Sequence, residues 1–207
     1  MSATKQKIIE TAVALFNGQG LANVRLQQIA EAVGISTGNL AYHFANKEAI
    51  VQAVYGQLAE ELAGALRLYS VYPNLLDFDL QVSRLFQVFR SYPFYSSDLP
   101  EIYRSYPALR ESSQAFFSKL TAQFEKRVEF NVKRGIIMPE PAPHLYQKVA
   151  EAMVLTLTFR ATGRTLAGLD AEGEPGFKEA LWLHLSPYLT PKGRQEYAQL
   201  IEPLLQD

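Results

Sequence analysis

The chain contains no cysteine among its 207 residues. That removes disulfide scaffolds, thiolate metal sites and cysteine nucleophiles together. Its three histidines, His43, His144 and His184, stand too far apart for a metal-ligand spacing. No glycine-rich phosphate loop is present, because the GQG ending at Gly20 and the GNL beginning at Gly38 do not follow strand patterns. Paired carboxylates such as Glu60 and Glu61 read as a solvated helix face. No enzymatic activity, cofactor or metal is therefore expected. Apolar runs long enough to span a bilayer are missing, and the N-terminal MSATKQKIIE is too polar for a secretory signal. The expectation is a soluble cytoplasmic protein without a membrane partner. Charge of one sign is also lacking. The formal net charge is −1, and residues 1–50 carry a bias of a single positive charge. A protein that coats nucleic acid indiscriminately is excluded, but specific binding, which depends on local charge, is not. Alternating β patterns of useful length and internal repeats are absent too.

What is present is 48% apolar and 20% charged residues, enough to bury a core. The most informative stretch is LQQIAEAVGISTGNLAYHFANK, residues 26–47. Ile29, Ala30 and Val33 share one helix face, and Gly34 stands where a left-handed residue ends a helix at little steric cost. Ile35 fills the angle before a second helix. Ser36 is suited to cap that helix, and Leu40 and Phe44, four apart, pin it down. Thr37, Asn39, Tyr42 and His43 are left on or near the outside. A short helix held steeply with a small polar face is what a DNA major groove accepts, so the stretch reads as a helix-turn-helix.

The rest of the chain reads as helix. Residues 4–17 form an amphipathic helix through Ile8, Ile9, Ala12 and Phe16. Asn46 caps a long helix carrying Ile50, Val54, Leu58, Leu62 and Leu66, and a proline break follows within residues 69–74. Further helices are expected at 75–90, 109–134, 145–166, 177–189 and 193–205, with short aromatic, proline-punctuated helices between 91 and 112. The fold class is all-α: a three-helix head over residues 1–50 and a larger helical bundle over 51–207.

Residues 4–55 closely resemble the DNA-binding head of TetR/AcrR-type repressors through IIETAVALFNGQG, LQQIAEAVGIS and GNLAYHFANKEAI. The resemblance implies a homodimer that reads a two-fold operator in double-stranded DNA and releases it when a small-molecule effector binds the C-terminal domain. Two positions depart from the family pattern. Ala41 stands where Tyr is frequent, which removes a usual phosphate contact, and Arg25 stands where Thr is common. The expected function is a ligand-released repressor. The alternatives are a constitutive DNA-binding protein and a helical carrier of apolar ligands.

Thr37, Asn39 and Tyr42 are the candidates for base edges, since Asn can pair with adenine through two hydrogen bonds and Thr can offer a methyl to thymine. Arg25, Ser36, His43 and Lys47 suit phosphates, and Gly38 would let the backbone approach the sugar-phosphate surface. Phe86, Phe89, Tyr92, Tyr103, Phe116, Phe117 and Phe159 are the candidate lining of an effector cavity, with His144 and Arg160 as polar anchors. Helices near 150–164 and 177–189 are the expected dimer surface, with Trp182 and Leu183 as apolar anchors.

Overall fold

The structure, a computed structural model, describes residues 2–68 and 73–205. The first four residues of the expected proline break lie outside that range. Every regular element among the described residues is helical. The nearest approach to a strand is one isolated antiparallel bridge between Ile137 and Leu189.

The chain forms two compact units, Met1–Glu61 with Ser91–Ser112, and Leu62–Arg90 with Ser113–Asp207. In the first unit α1 spans Ala3–Gln19, starts on the Ser2 hydroxyl, which accepts from Lys5 N at 3.3 Å, and buries Ile8, Ile9, Ala12 and Phe16. Helix α2, Leu26–Val33, buries Ile29, Ala30 and Val33. Gly34 ends it with φ +82°, and its N–H reaches Ala30 and Glu31 carbonyls while Ile35 N also reaches Ala30 O. Only glycine takes that backbone geometry without steric cost. Helix α3, Thr37–His43, buries Leu40 alone and is capped by Ser36 Oγ, which accepts from Asn39 N at 3.1 Å. Helix α4, Lys47–Arg67, belongs to this unit through Glu61 and to the second from Leu62; it starts on Asn46 Oδ1, which accepts from Ala49 N at 2.9 Å.

Two short helices complete this unit, α6 at Pro93–Ser97 and α7 at Leu99–Ser105. They are the aromatic helices expected between 91 and 112, and their rings pack inside the unit. Phe94 meets Phe16 with ring centroids 5.6 Å apart, and Tyr95 meets Tyr55 at 6.1 Å. The head is therefore more than three helices and the start of a fourth. It includes a segment from much later in the chain.

The second unit contains α5 (Leu75–Ser91, apart from its last residue), α8 (Pro107–Lys133, from Ser113 on), α9 (Leu145–Leu166), α10 (Glu174–Trp182) and α11 (Pro191–Leu200). Its core is aromatic: Phe78 packs edge-on against Phe124 at 5.4 Å and Trp182 at 4.9 Å, and Trp182 packs on Tyr197 at 5.1 Å. Two expected helices come out shorter. The one over 177–189 stops at Trp182 and resumes only as a 3₁₀ turn at Ser186–Tyr188. Pro187 has no N–H to continue the ladder and disfavours helical geometry at Ser186. The last helix ends at Leu200, before a 3₁₀ turn holding Pro203.

Trp182 is not an interface anchor. It is 1% exposed, and its indole nitrogen is spent on Asp79 inside the unit. Leu183, one residue on, is 70% exposed.

Candidate DNA-binding surface and effector site

The turn at Gly34 and the cap at Ser36 set α3 on α2, and Phe44 N returns to Leu40 O at 2.8 Å to close the helix. Because Leu40 is the one buried residue of α3, the others are free to face outward. Thr37, Gly38, Asn39 and Ala41 are exposed, Tyr42 is 86% exposed and His43 is half-buried. The Tyr42 and His43 rings meet edge to face at 5.2 Å. Thr37, Asn39 and Tyr42 thus share one short helix and bury almost nothing. Ala41 offers only a methyl there.

Arg25 is exposed at the start of α2, where its backbone N–H donates to Gln28 Oε1 at 2.6 Å and leaves the guanidinium outside that cap. Lys47 is different. Its ammonium donates to Leu21 O at 2.6 Å and to Ala22 O at 3.4 Å, inside the head. Burial lowers its pKa, while Glu101 and Asp98 nearby pull it back up. The sequence places Lys47 at a helix N-terminus, where a phosphate contact is a natural expectation; the fold gives its side chain an internal partner.

The nine effector candidates are divided between the two units. Tyr92 and Tyr103 belong to the N-terminal unit, and the Tyr92 hydroxyl donates to Glu61 Oε1 at 2.7 Å. Burial, then that hydrogen bond, raises the Tyr92 pKa well above the usual tyrosine range. In the C-terminal unit Phe86 and Phe89 are buried, with Phe86 on Phe177 at 5.1 Å, and buried Phe116 touches half-buried Phe117 at 5.6 Å. His144 is exposed, with φ +60°, in an open cleft beside Glu125, Glu129 and Glu140. Phe159 and Arg160 line a separate open groove, and the Arg160 guanidinium is paired with Glu172. A cavity of about 10 Å³ lies among Phe78, Phe124, Arg127, Asn131, Met153 and Leu185. It has the size of a single water. None of its lining residues is among the nine effector candidates.

Two family models cover nearly the whole chain. The N-terminal model of bacterial regulatory proteins of the tetR family matches residues 8–54, and the model of the bacterial transcriptional repressor TetR matches residues 57–197. The chain belongs to the TetR family. Among its relatives, the helix-turn-helix transcriptional regulator RutR of Escherichia coli K12 is 38% identical over 69 residues, 33% of this chain and 32% of RutR. The match thus spans about a third of that relative's length. A TetR-family transcriptional regulator from Marinobacter aquaeolei VT8 superposes with a TM-score of 0.83 at 26% identity, covering 97% of both chains. A gamma-butyrolactone receptor described as ArpA-like shares the fold, with a TM-score of 0.70 and 20% identity over 98% of this chain and 96% of its own. The curated relatives are helix-turn-helix transcriptional regulators, and the N-terminal family model covers the helix-turn-helix of this chain. No helix among the described residues is long and apolar enough to cross a membrane.

Proposed function

We propose that this regulator is a cytoplasmic, homodimeric repressor that reads a two-fold operator through α3 and lets go when a small apolar or aromatic effector binds its C-terminal unit. The observation that carries the reading is the outer face of α3. Thr37, Asn39 and Tyr42 are exposed on a helix fixed by Gly34, Ser36 and Leu40, so they are available to base edges. Arg25, Ser36, Gly38 and His43 flank them for the backbone, and Lys47 contributes through its position at the start of α4. DNA contact is assigned to residues 1–50, and effector binding and pairing to residues 51–207.

Pairing is supported by an exposed apolar stripe on α9. Leu155 is 60% exposed and Leu166 84%, with Phe159 between them and Leu183 exposed just beyond α10. Isolated exposed leucines are ordinary, but several on one helix within one unit mark an interaction surface. Effector binding is supported by the aromatic side chains buried in the same unit. Phe86, Phe89, Phe116 and Phe117 are the lining candidates that belong to this unit, which also holds the small cavity at Phe78 and Phe124. Ligand entry there requires the bundle to open, a differential affinity for two conformations worth typically about 1–3 kcal/mol. The gamma-butyrolactone receptor of the same fold is by its description a small-molecule receptor, which agrees with this assignment.

The test is Asn39→Ala, titrated against an operator recovered with the wild-type protein and against random duplex. A lost base contact costs about 1–3 kcal/mol on the operator alone. Equal losses on both duplexes would remove Asn39 as a base reader.

A further inference from the structure

Asp98 stands at the joint of α6 and α7, serving as C-cap of one and N-cap of the other. An aspartate before a helix ordinarily turns its carboxylate onto that helix's own N–H groups. Here it makes no such bond, and Pro100, two residues on, has no N–H to offer. The carboxylate reaches back 77 residues and accepts from Leu21 N at 2.5 Å. On the other side of the same residue, Leu21 O accepts from Lys47 Nζ at 2.6 Å. Both polar groups of one loop residue are thus held, one by the α6–α7 joint and one by the first residue of α4. Leu21 itself is 1% exposed and so anchors the loop in the core.

The rest of the contact is built the same way. Asn17 Nδ2 donates to Ser91 O at 3.0 Å, and Asn17 Oδ1 accepts from Phe94 N at 3.4 Å. Gly20, which joins α1 to the loop with φ +79°, has the Asp98 carboxylate oxygens 3.7 Å from where a Cβ would stand. Glu101 adds a second carboxylate to the field around Lys47. The helix-turn-helix is bounded by this loop before α2 and by Lys47 after α3. The two boundaries meet at Leu21, whose N–H is held by Asp98 and whose C=O is held by Lys47.

We infer that Asp98 is a positioning residue for DNA recognition: by holding the N–H of Leu21, whose C=O accepts from Lys47, it fixes the loop before α2 against the start of α4, and so sets the angle at which α3 is presented. This rests on the DNA-binding reading of α3. Residues 91–112 then act as a brace of the head, and any change that withdraws Asp98 loosens α3 without touching a DNA contact.

The experiment compares wild type, Asp98→Ala and Asp98→Asn on the operator selected with the wild type and on random duplex. Binding is measured by fluorescence anisotropy well below the unfolding temperature, with hydrogen exchange of residues 20–25 followed in parallel. A charge-assisted hydrogen bond lost from a half-buried site should weaken operator binding about tenfold in Asp98→Ala and lower the operator-to-random ratio. It should also speed exchange at residues 20–25 and leave exchange in α9 unchanged. Asp98→Asn, whose amide oxygen still accepts from Leu21 N, should recover most of the ratio. If the alanine variant does not fold, Asp98→Ser carries the test, because its hydroxyl is too short to reach Leu21 N, and loss of the ratio is the expected result for either variant. A partly unfolded head would lose both duplexes alike, so an unchanged ratio overturns the inference, as does unchanged exchange at residues 20–25. A wild type that selects no operator at all would instead remove the DNA-binding reading on which the inference stands.

Discussion

The indole Nε1 of Trp182 donates to Asp79 Oδ1 at 3.0 Å, and the other oxygen of that carboxylate lies 2.6 Å from Lys178 Nζ. All three side chains are buried, so an ion pair sits within an aromatic core. Such a pair adds little over an apolar replacement, yet breaking one side of it strands a charge. Asp79→Ala is expected to cost about 3–5 kcal/mol in urea unfolding. Adding Lys178→Met should restore much of the loss, because it removes a buried ammonium that would otherwise keep only Glu174 at 3.9 Å. Equal instability of the single and double variants would show that packing around Trp182, not charge, dominates.

The exposed stripe on α9 and the Leu183 side chain make a second prediction. Leu155→Glu combined with Leu183→Glu should leave the monomer fold intact, since both side chains are largely in solvent. Surface changes of this kind usually alter stability by no more than about 0.5 kcal/mol. Sedimentation equilibrium at micromolar concentration should find a dimer for the wild type and a monomer for the variant. A variant that remains dimeric would place the pairing surface elsewhere.

Tyr42 separates recognition from stability more cleanly than any other residue of α3. At 86% exposure it contributes almost no burial, so Tyr42→Ala should melt with the wild type. Operator affinity should nonetheless fall by about tenfold, the lower part of the range for a lost base or backbone contact. Unchanged affinity would leave Tyr42 as a solvated aromatic with no part in recognition.

His184 gives a pH dependence with a defined sign. Its Nε2 lies 2.9 Å from Thr156 Oγ1, and burial pushes its pKa below the ordinary value of 6.5. The folded protein therefore favours the neutral ring, and between the two pKa values the unfolded chain binds more protons. The stabilisation is complete above pH 6.5 and is lost as the pH falls from there through the folded value. The melting temperature of the wild type should drop more between pH 8 and pH 5 than that of His184→Gln. Parallel curves would mean that the ring does not resist protonation in the fold.

Local chemistry explains what was legible in the sequence. Gly34 and Ser36 each act within four residues of themselves, and the structure places both in the roles their side chains suggest. The apolar spacing of residues 145–166 likewise gives α9 its bounds, because a helix face is a local pattern. Asp98 and Trp182 were not legible for the opposite reason. Asp98 bonds a residue 77 positions earlier, which no local pattern announces, and Trp182 reads as an apolar surface anchor but finds its partner 103 positions earlier. Aromatic residues pose a related problem. Phe86 in the core and Phe159 on a groove have the same helical spacing, and only tertiary packing tells them apart.

The central claim is that α3 reads a specific two-fold site, and selection from a random duplex library tests it most directly. The account predicts enrichment of a near-palindrome whose half-sites lie about 34–36 Å apart or a multiple of that, bound by two copies of the chain far more tightly than random DNA. A pool without enrichment, bound only weakly and with strong sensitivity to salt, would contradict it.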